Sequence, residues 1–262
     1  MFIYRLSLQY YKSKNQKTMK KTFTLLCIAL LTVSSSFAQT SAEKPVMVTE
    51  TMYLMPKRGM EDKFEAAVKA HNTKFHPDGL YKAGLRKVEY GEKAGWYVWV
   101  FGPTAYSSLD TRPTKEGGHD ADWSTTIDPL VETYGTTSLW EMDEDLSYGM
   151  DKMKTAKYYE AWSVHLKRGE YYRFKAISEK LKKTYESLGT SSFIIYHNII
   201  HSINGPDVAI IWSFNSYDEW SKDPGSKAAY EKLYGAGSWQ NMLDEWMAVS
   251  EDYDVEIRSF LR

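Results

Sequence analysis

The chain has 262 residues, a formal net charge of −1 and a single cysteine, Cys27. All six basic side chains of its first 38 residues stand there without an acidic one, so residues 39–262 carry −7 and no cysteine. That balance excludes a nucleic-acid partner, which needs a clustered basic surface, and it excludes disulfide or thiol chemistry in residues 39–262. In chain order the first feature is a leader. Arg5, Lys12, Lys14, Lys17, Lys20 and Lys21 precede an apolar run from Phe23 to Val33, and Ser36-Phe37-Ala38 offers small residues at the exit. This pattern predicts a signal peptide over 1–38, with translation starting at Met1 or Met19, and a periplasmic or secreted product. The apolar run is eleven residues long, too short to cross the roughly 30 Å hydrocarbon core as a helix. No membrane span is expected in the mature chain.

The mature sequence reads as one unit written twice. Lys57-Arg58-Gly59 recurs as Lys167-Arg168-Gly169, Lys63-Phe64 as Arg173-Phe174, Ala66 as Ala176 and Glu50 as Glu160. Further on, Phe101 falls on Trp212, Tyr106 on Tyr217, and Trp123, Ile127, Leu130 and Val131 on Trp239, Leu243, Trp246 and Met247. Such ordered self-similarity indicates a duplicated fold.

Each copy predicts the same elements. Residues 46–55 and 158–166 alternate as strands and end at the Lys-Arg-Gly turn. An amphipathic helix follows, with Phe64, Ala67, Val68, His71 and Phe75 on one face of the first copy. Phe174, Ile177, Leu181 and Tyr185 do the same in the second. Hairpins over 84–90/96–102 and 192–201/208–214 come next. Second helices near 122–134 and 238–249 are expected to start at Asp122 and Ser238, with Pro129 breaking the first. Strands near 136–143 and 253–260 close the copies. The order β-α-β-β-α-β is ferredoxin-like. The predicted organisation is copy one over 45–146, a linker over 147–156 and copy two over 157–262. One face of each sheet has no helical cover, so the copies should cover one another, sheet to sheet.

In element order and in the duplicated Lys-Arg-Gly turn, helix and hairpin, residues 45–262 resemble the dimeric α+β barrel superfamily, in particular its antibiotic-biosynthesis-monooxygenase-like and NIPSNAP-like branches, as a tandem fusion. The resemblance implies an α+β barrel with helices outside. It also implies a small-molecule-handling protein: a cofactor-independent oxygenase or isomerase, or alternatively a non-catalytic binding or structural protein with a filled aromatic barrel. Fold alone does not choose between these. Haem-using members carry functional histidines on helices beside the cavity, which makes haem the alternative to an expectation of no cofactor.

The candidate residues follow from the strand pattern. Val98, Val100, Ala209 and Ile211 suit the helix-covered face. Tyr97, Trp99 and Phe101, with Ile210, Trp212 and Phe214, are then expected to point into the barrel and meet a small apolar or aromatic molecule. Glu50 and Glu160 occupy matching strand positions. Each is a candidate general base facing the cavity, or a partner of Arg86 or a lysine. His197 and His201 share a strand face about 13 Å apart, too far to share an ion. With no HExxH or CxxC spacing present, no metal site is expected. His71 takes the stripe position that Leu181 holds in the other copy, and His71 and His197 are candidate ligand-binding residues. Lys115-Glu116-Gly117-Gly118-His119-Asp120 is expected to be a flexible lid without a phosphate-loop pattern.

Overall fold

A computed structural model describes residues 45–261. The expected signal peptide, with Cys27, Met1 and Met19, lies outside the described residues. The first copy runs β1 (Met47–Pro56), α1 (Glu61–Phe75), β2 (Ala83–Tyr90), β3 (Tyr97–Ala105), α2 (Tyr106–Asp110), α3 (His119–Thr126) and β4 (Val131–Met142). A short α4 (Met150–Met153) lies in the connection. The second copy runs β5 (Tyr158–Leu166), α5 (Tyr171–Leu188), β6 (Ile194–Asn198), β7 (Val208–Phe214), α6 (Tyr217–Trp220), α7 (Ser226–Tyr234), α8 (Ser238–Val249) and β8 (Ser250–Leu261).

The repeated Lys-Arg-Gly turn has a physical purpose. Gly59 and Gly169 adopt φ of 77° and 85°, a left-handed conformation that costs a side-chain-bearing residue free energy. The lysine before each then reaches back to the end of its own copy. Lys57 Nζ donates to the Pro129 carbonyl at 2.8 Å, and Lys167 Nζ to the Ala248 carbonyl at 2.9 Å. Their backbone N–H groups donate to Leu130 and Val249, both at 2.8 Å. Each turn therefore ties the first helix of a copy to the entry of its last strand.

The strands form a closed barrel in the order β1-β3-β2-β8-β5-β7-β6-β4. Each copy contributes a sheet of ferredoxin-like order, and the two join through antiparallel β2–β8 and β4–β6 ladders, such as Val88 opposite Arg258 and Glu141 opposite His197. The sheets face one another as expected, and edge pairing completes the seal. Closure satisfies the strand edges that each sheet alone would expose.

The side chains expected there do not line the barrel, which corrects the sequence expectation; other aromatics, Tyr53, Trp140, Tyr159, Tyr196 and Phe260, do. Tyr97, Trp99 and Phe101 pack outward into a core with Phe64 and Val68 of α1 and with Ile127. Ile210 and Trp212 pack with Phe174 and Ile177 under α5, and Phe214 lies against Tyr217 and Trp220 of α6. The lumen is instead lined by Thr49, Thr51, Tyr53, Val100, Tyr159, Ala161, Ser163, Ala209 and Ile211. Strand alternation puts successive side chains on opposite faces, so once Tyr97, Trp99 and Phe101 bury their rings against α1, their neighbours point inward.

Boundaries also differ from the prediction: Gly237, not Ser238, takes the N-cap position of α8. Gly118, at φ 77°, precedes α3, so Asp122 sits inside the helix and does not cap it. Pro129 lies in a 3₁₀ turn over Asp128–Leu130, and β4 begins directly after it.

Candidate functional site

The sheet–helix layer of the first copy holds an unusual group. The buried stripe of α1, Phe64 and Val68, continues at His71, whose side chain is 0% exposed. The helix stops at Phe75, and His76 follows as its buried C-cap. From the other side, Gly118 turns the chain so that α3 starts at His119. One potential ligand atom from each of the three histidines lies within 4.8 Å of the others. Ring centroids are 4.7 Å apart for His71 and His119, 5.4 Å for His71 and His76, and 5.1 Å for His76 and His119.

Every Nδ1 in the group has its own acceptor. His71 Nδ1 bonds Asp122 Oδ2 at 2.8 Å, His76 Nδ1 the Tyr81 carbonyl at 2.9 Å, and His119 Nδ1 Asp120 Oδ1 at 2.9 Å. Lys74 donates to the other Asp122 oxygen at 3.2 Å. The Nε2 atoms of His76 and His119 are 3.1 Å apart, and that of His71 is buried without a hydrogen-bond partner among the described residues. Burial pulls the His71 pKa down, against the opposing pull of Asp122. It lowers that of His76 further, to about 4. Both rings are therefore neutral at neutral pH.

Aromatic side chains enclose the group. Trp123 and Phe75 lie 5.1 and 4.9 Å from the His71 ring, and Trp99 and Phe101 lie 5.2 and 5.7 Å from His76. Trp99 is fixed by donating its Nε1–H to Asn72 Oδ1 at 3.0 Å. A porphyrin has no room at His71, because the side chain is fully buried with the rings of Phe75, His76, His119 and Trp123 between 4.7 and 5.4 Å away. The site does not fit haem ligated by this residue.

A cavity of about 1660 Å³ includes the lumen and reaches Asn72, Thr73 and His76 at the end of α1. Inside the lumen, Arg258 Nε donates to Glu256 Oε2 at 2.8 Å. Tyr53 OH donates to the same oxygen at 3.0 Å while accepting from Arg258 Nη2 at 2.5 Å. Burial, more than the nearby Glu256, pushes the Tyr53 phenol well above its ordinary range.

The remaining candidates are dispersed. Glu50 and Glu160 sit on the outer face of their strands, which overturns their placement as bases facing the cavity. Their neighbours Thr49, Thr51, Tyr159 and Ala161 take the inward positions. Glu50 accepts from Arg112 at 2.7 Å, so its partner is neither Arg86 nor a lysine. Glu160 accepts from the indole N–H groups of Trp162 and, at 2.7 Å, Trp220. Tyr97 donates to Glu65 at 2.6 Å, and Trp212 belongs to the second copy's core. His197 bonds Asp143 at 2.9 Å on the outer face of β6. Structure thus unites His71 with Trp99 and Phe101, and adds His76, which the sequence reading missed. It also adds His119, seen there only as part of a lid.

No family model and no curated protein matches the sequence. Solved structures do. A candidate monooxygenase from Fusobacterium nucleatum superposes with a TM-score of 0.55 at 9% identity, over 83% of this chain and 94% of that one. The chain has the dimeric α+β barrel fold. A candidate monooxygenase from Lactobacillus acidophilus matches this dimeric α+β barrel at a TM-score of 0.51 and 12% identity, over 82% and 94% of the two chains. A chlorite dismutase variant from Candidatus Nitrospira defluvii matches at 0.50 and 8%, over 84% and 92%. No helix among the described residues of the barrel is long and apolar enough to cross a membrane.

Proposed function

We propose that this chain is an exported enzyme acting on a small, mostly apolar or aromatic molecule, with oxygenase-type chemistry, and that its reaction centre is the histidine group of the first copy. One observation carries the reading. Two copies of one fold differ at this place, since the second copy fills the position of His71 with Leu181, packed in an apolar core. Packing alone is met by leucine. Three imidazoles with anchored Nδ1 atoms supply reactive nitrogen instead, at the edge of a cavity large enough for a small molecule. The same fold carries a monooxygenase description in two of the matching structures. The leader segment supports export.

Of the aromatic rings expected to bind a ligand in the lumen, Trp99 and Phe101 would form the wall behind the histidines. A non-catalytic binding protein is the second reading, favoured by the Arg258–Glu256–Tyr53 group in the lumen. A ligand-observed NMR screen with small phenols and aromatic acids separates the two. The enzyme reading expects binding that His119→Ala removes and Arg258→Met leaves in place, with oxygen uptake for at least one bound compound. The reverse pattern would move the site to the lumen.

A further inference from the structure

We propose that His71, His76 and His119 together bind one divalent first-row transition-metal ion of the zinc, iron or copper type through their Nε2 atoms. This deepens the reading of the histidine pocket given above.

The partner of His76 Nδ1 is a backbone carbonyl, which can only accept, so that nitrogen carries the hydrogen. His71 and His119 present Nδ1 to carboxylates, which are likewise acceptors when ionised. A ring whose one hydrogen is on Nδ1 offers Nε2 as a bare lone pair. His76 and His119 bring Nε2 to Nε2 at 3.1 Å, His71 Nε2 is buried without a partner, and one ligand nitrogen from each ring lies within 4.8 Å of the others. The 3.1 Å contact needs a proton or a metal ion between its two nitrogens, and a proton there still leaves the buried His71 Nε2 unsatisfied. A single ion can serve all three rings.

Distance agrees. Two imidazole nitrogens bound to one ion at about 2.0–2.1 Å lie roughly 2.9–3.4 Å apart, for bond angles between octahedral and tetrahedral. The 3.1 Å separation of His76 and His119 falls in that interval. The outer shell is also in place, because metal-bound histidines commonly give their second N–H to a carboxylate or carbonyl, as all three do here.

Chemistry narrows the ion. Neutral imidazoles suit zinc, copper, iron and nickel, whereas magnesium and calcium prefer oxygen donors. Three protein ligands leave at least one coordination position for water or substrate, the arrangement of a catalytic site and not of a closed structural one. His119 supplies the side toward solvent, with a side chain 17% exposed.

The full mature chain, stripped with chelator and dialysed against Zn²⁺ or Co²⁺, tests this by elemental analysis and calorimetry. One equivalent per chain is expected. His119→Ala and His71→Leu should each weaken binding at least about 100-fold, and Asp122→Asn roughly 10–100-fold by releasing the His71 ring. His197→Ala, outside the group, should bind as the parent does. His119 lies at the surface end of α3, so its variant separates lost ligation from lost folding, and circular dichroism confirms the fold. No retained ion at micromolar metal, or an undiminished equivalent in folded His119→Ala, would overturn the proposal. The assay needs no substrate. Ion binding without any aromatic ligand sinks the enzyme reading alone, and ligand loss in His119→Ala without ion binding sinks the metal alone.

Discussion

In the metal-free chain, acid should unfold the protein by a route that runs through His76. Its ring is buried against Trp99 and Phe101 and anchored to the Tyr81 carbonyl, with His71, His119 and Arg112 as the charged or titratable groups around it. Burial is the main cause that lowers its pKa from 6.5 to about 4 in the fold. Between those values the unfolded chain holds one proton that the folded chain refuses. Stability from this residue is therefore complete above pH 6.5 and drains away as the pH falls toward 4. The slope approaches ~1.4 kcal/mol per pH unit, for a total of about 3 kcal/mol over the window. His71, depressed by burial as well, acts in the same direction. Urea unfolding of chelator-treated parent and His76→Gln, in steps from neutral to acid, measures the effect. The variant is expected to start less stable, having lost a buried ring, but to fall less steeply. Subtracting the two curves removes the carboxylates, such as Asp122, that titrate in both. Parallel curves between pH 6.5 and 4 would show that His76 is not held neutral by its surroundings, and the reasoning would fail.

Other consequences are open to measurement. Arg258→Met strands Glu256 in the lumen and should cost about 3–5 kcal/mol, while the double change Arg258→Met with Glu256→Leu should recover much of it; additive losses in denaturant melts would contradict the pairing. Glu50→Gln should cost less than about 1 kcal/mol, because Arg112 is substantially exposed. Glu160→Gln should cost more, about 1–3 kcal/mol, since one indole N–H loses its acceptor; equal thermal shifts would refute the assignment. Intact-mass measurement of cell fractions should find a chain beginning at or near Gln39 outside the cytoplasm, and a cytoplasmic chain retaining residues 20–38 would end the export proposal. Added haem should give no Soret shift that depends on His71, and one abolished by His71→Leu would mean that the rings around it rearrange.

Much of the architecture could be read because local chemistry is repeated. A left-handed glycine and a reaching lysine are required at both turns, so Lys57-Arg58-Gly59 and Lys167-Arg168-Gly169 survive as a visible pair. The direction of the strand faces could not be read. Tyr97, Val98, Trp99 and Val100 alternate in size, which shows that the two faces differ, yet in a closed barrel both are buried and alternation cannot say which is inside. The first copy's second helix was misplaced because Gly117-Gly118 resembles a loop, although Gly118 provides the turn into α3. His71 was visible through its exchange with Leu181. His76 was not, because a C-cap lies outside any periodic stripe and its neighbour His119 is 43 residues away. Arg112 lies 62 residues from Glu50, so that pair too depends on tertiary folding.

The β2–β8 ladder fixes an order of events in the making of the protein. Its last pair joins Leu85 of the first copy's hairpin to Leu261 at the end of the described residues. A polypeptide emerges from a ribosome or a translocation pore with its C-terminus last, so the cylinder stays unsealed until its final twelve-residue strand is released. Until then β2 and β5 each wait with a bare edge, competent to recruit a strand from another molecule. Contacts between such distant segments also form slowly. Premature termination before Ser250 would thus leave no smaller working version, only a sheet with a gap and a tendency to aggregate.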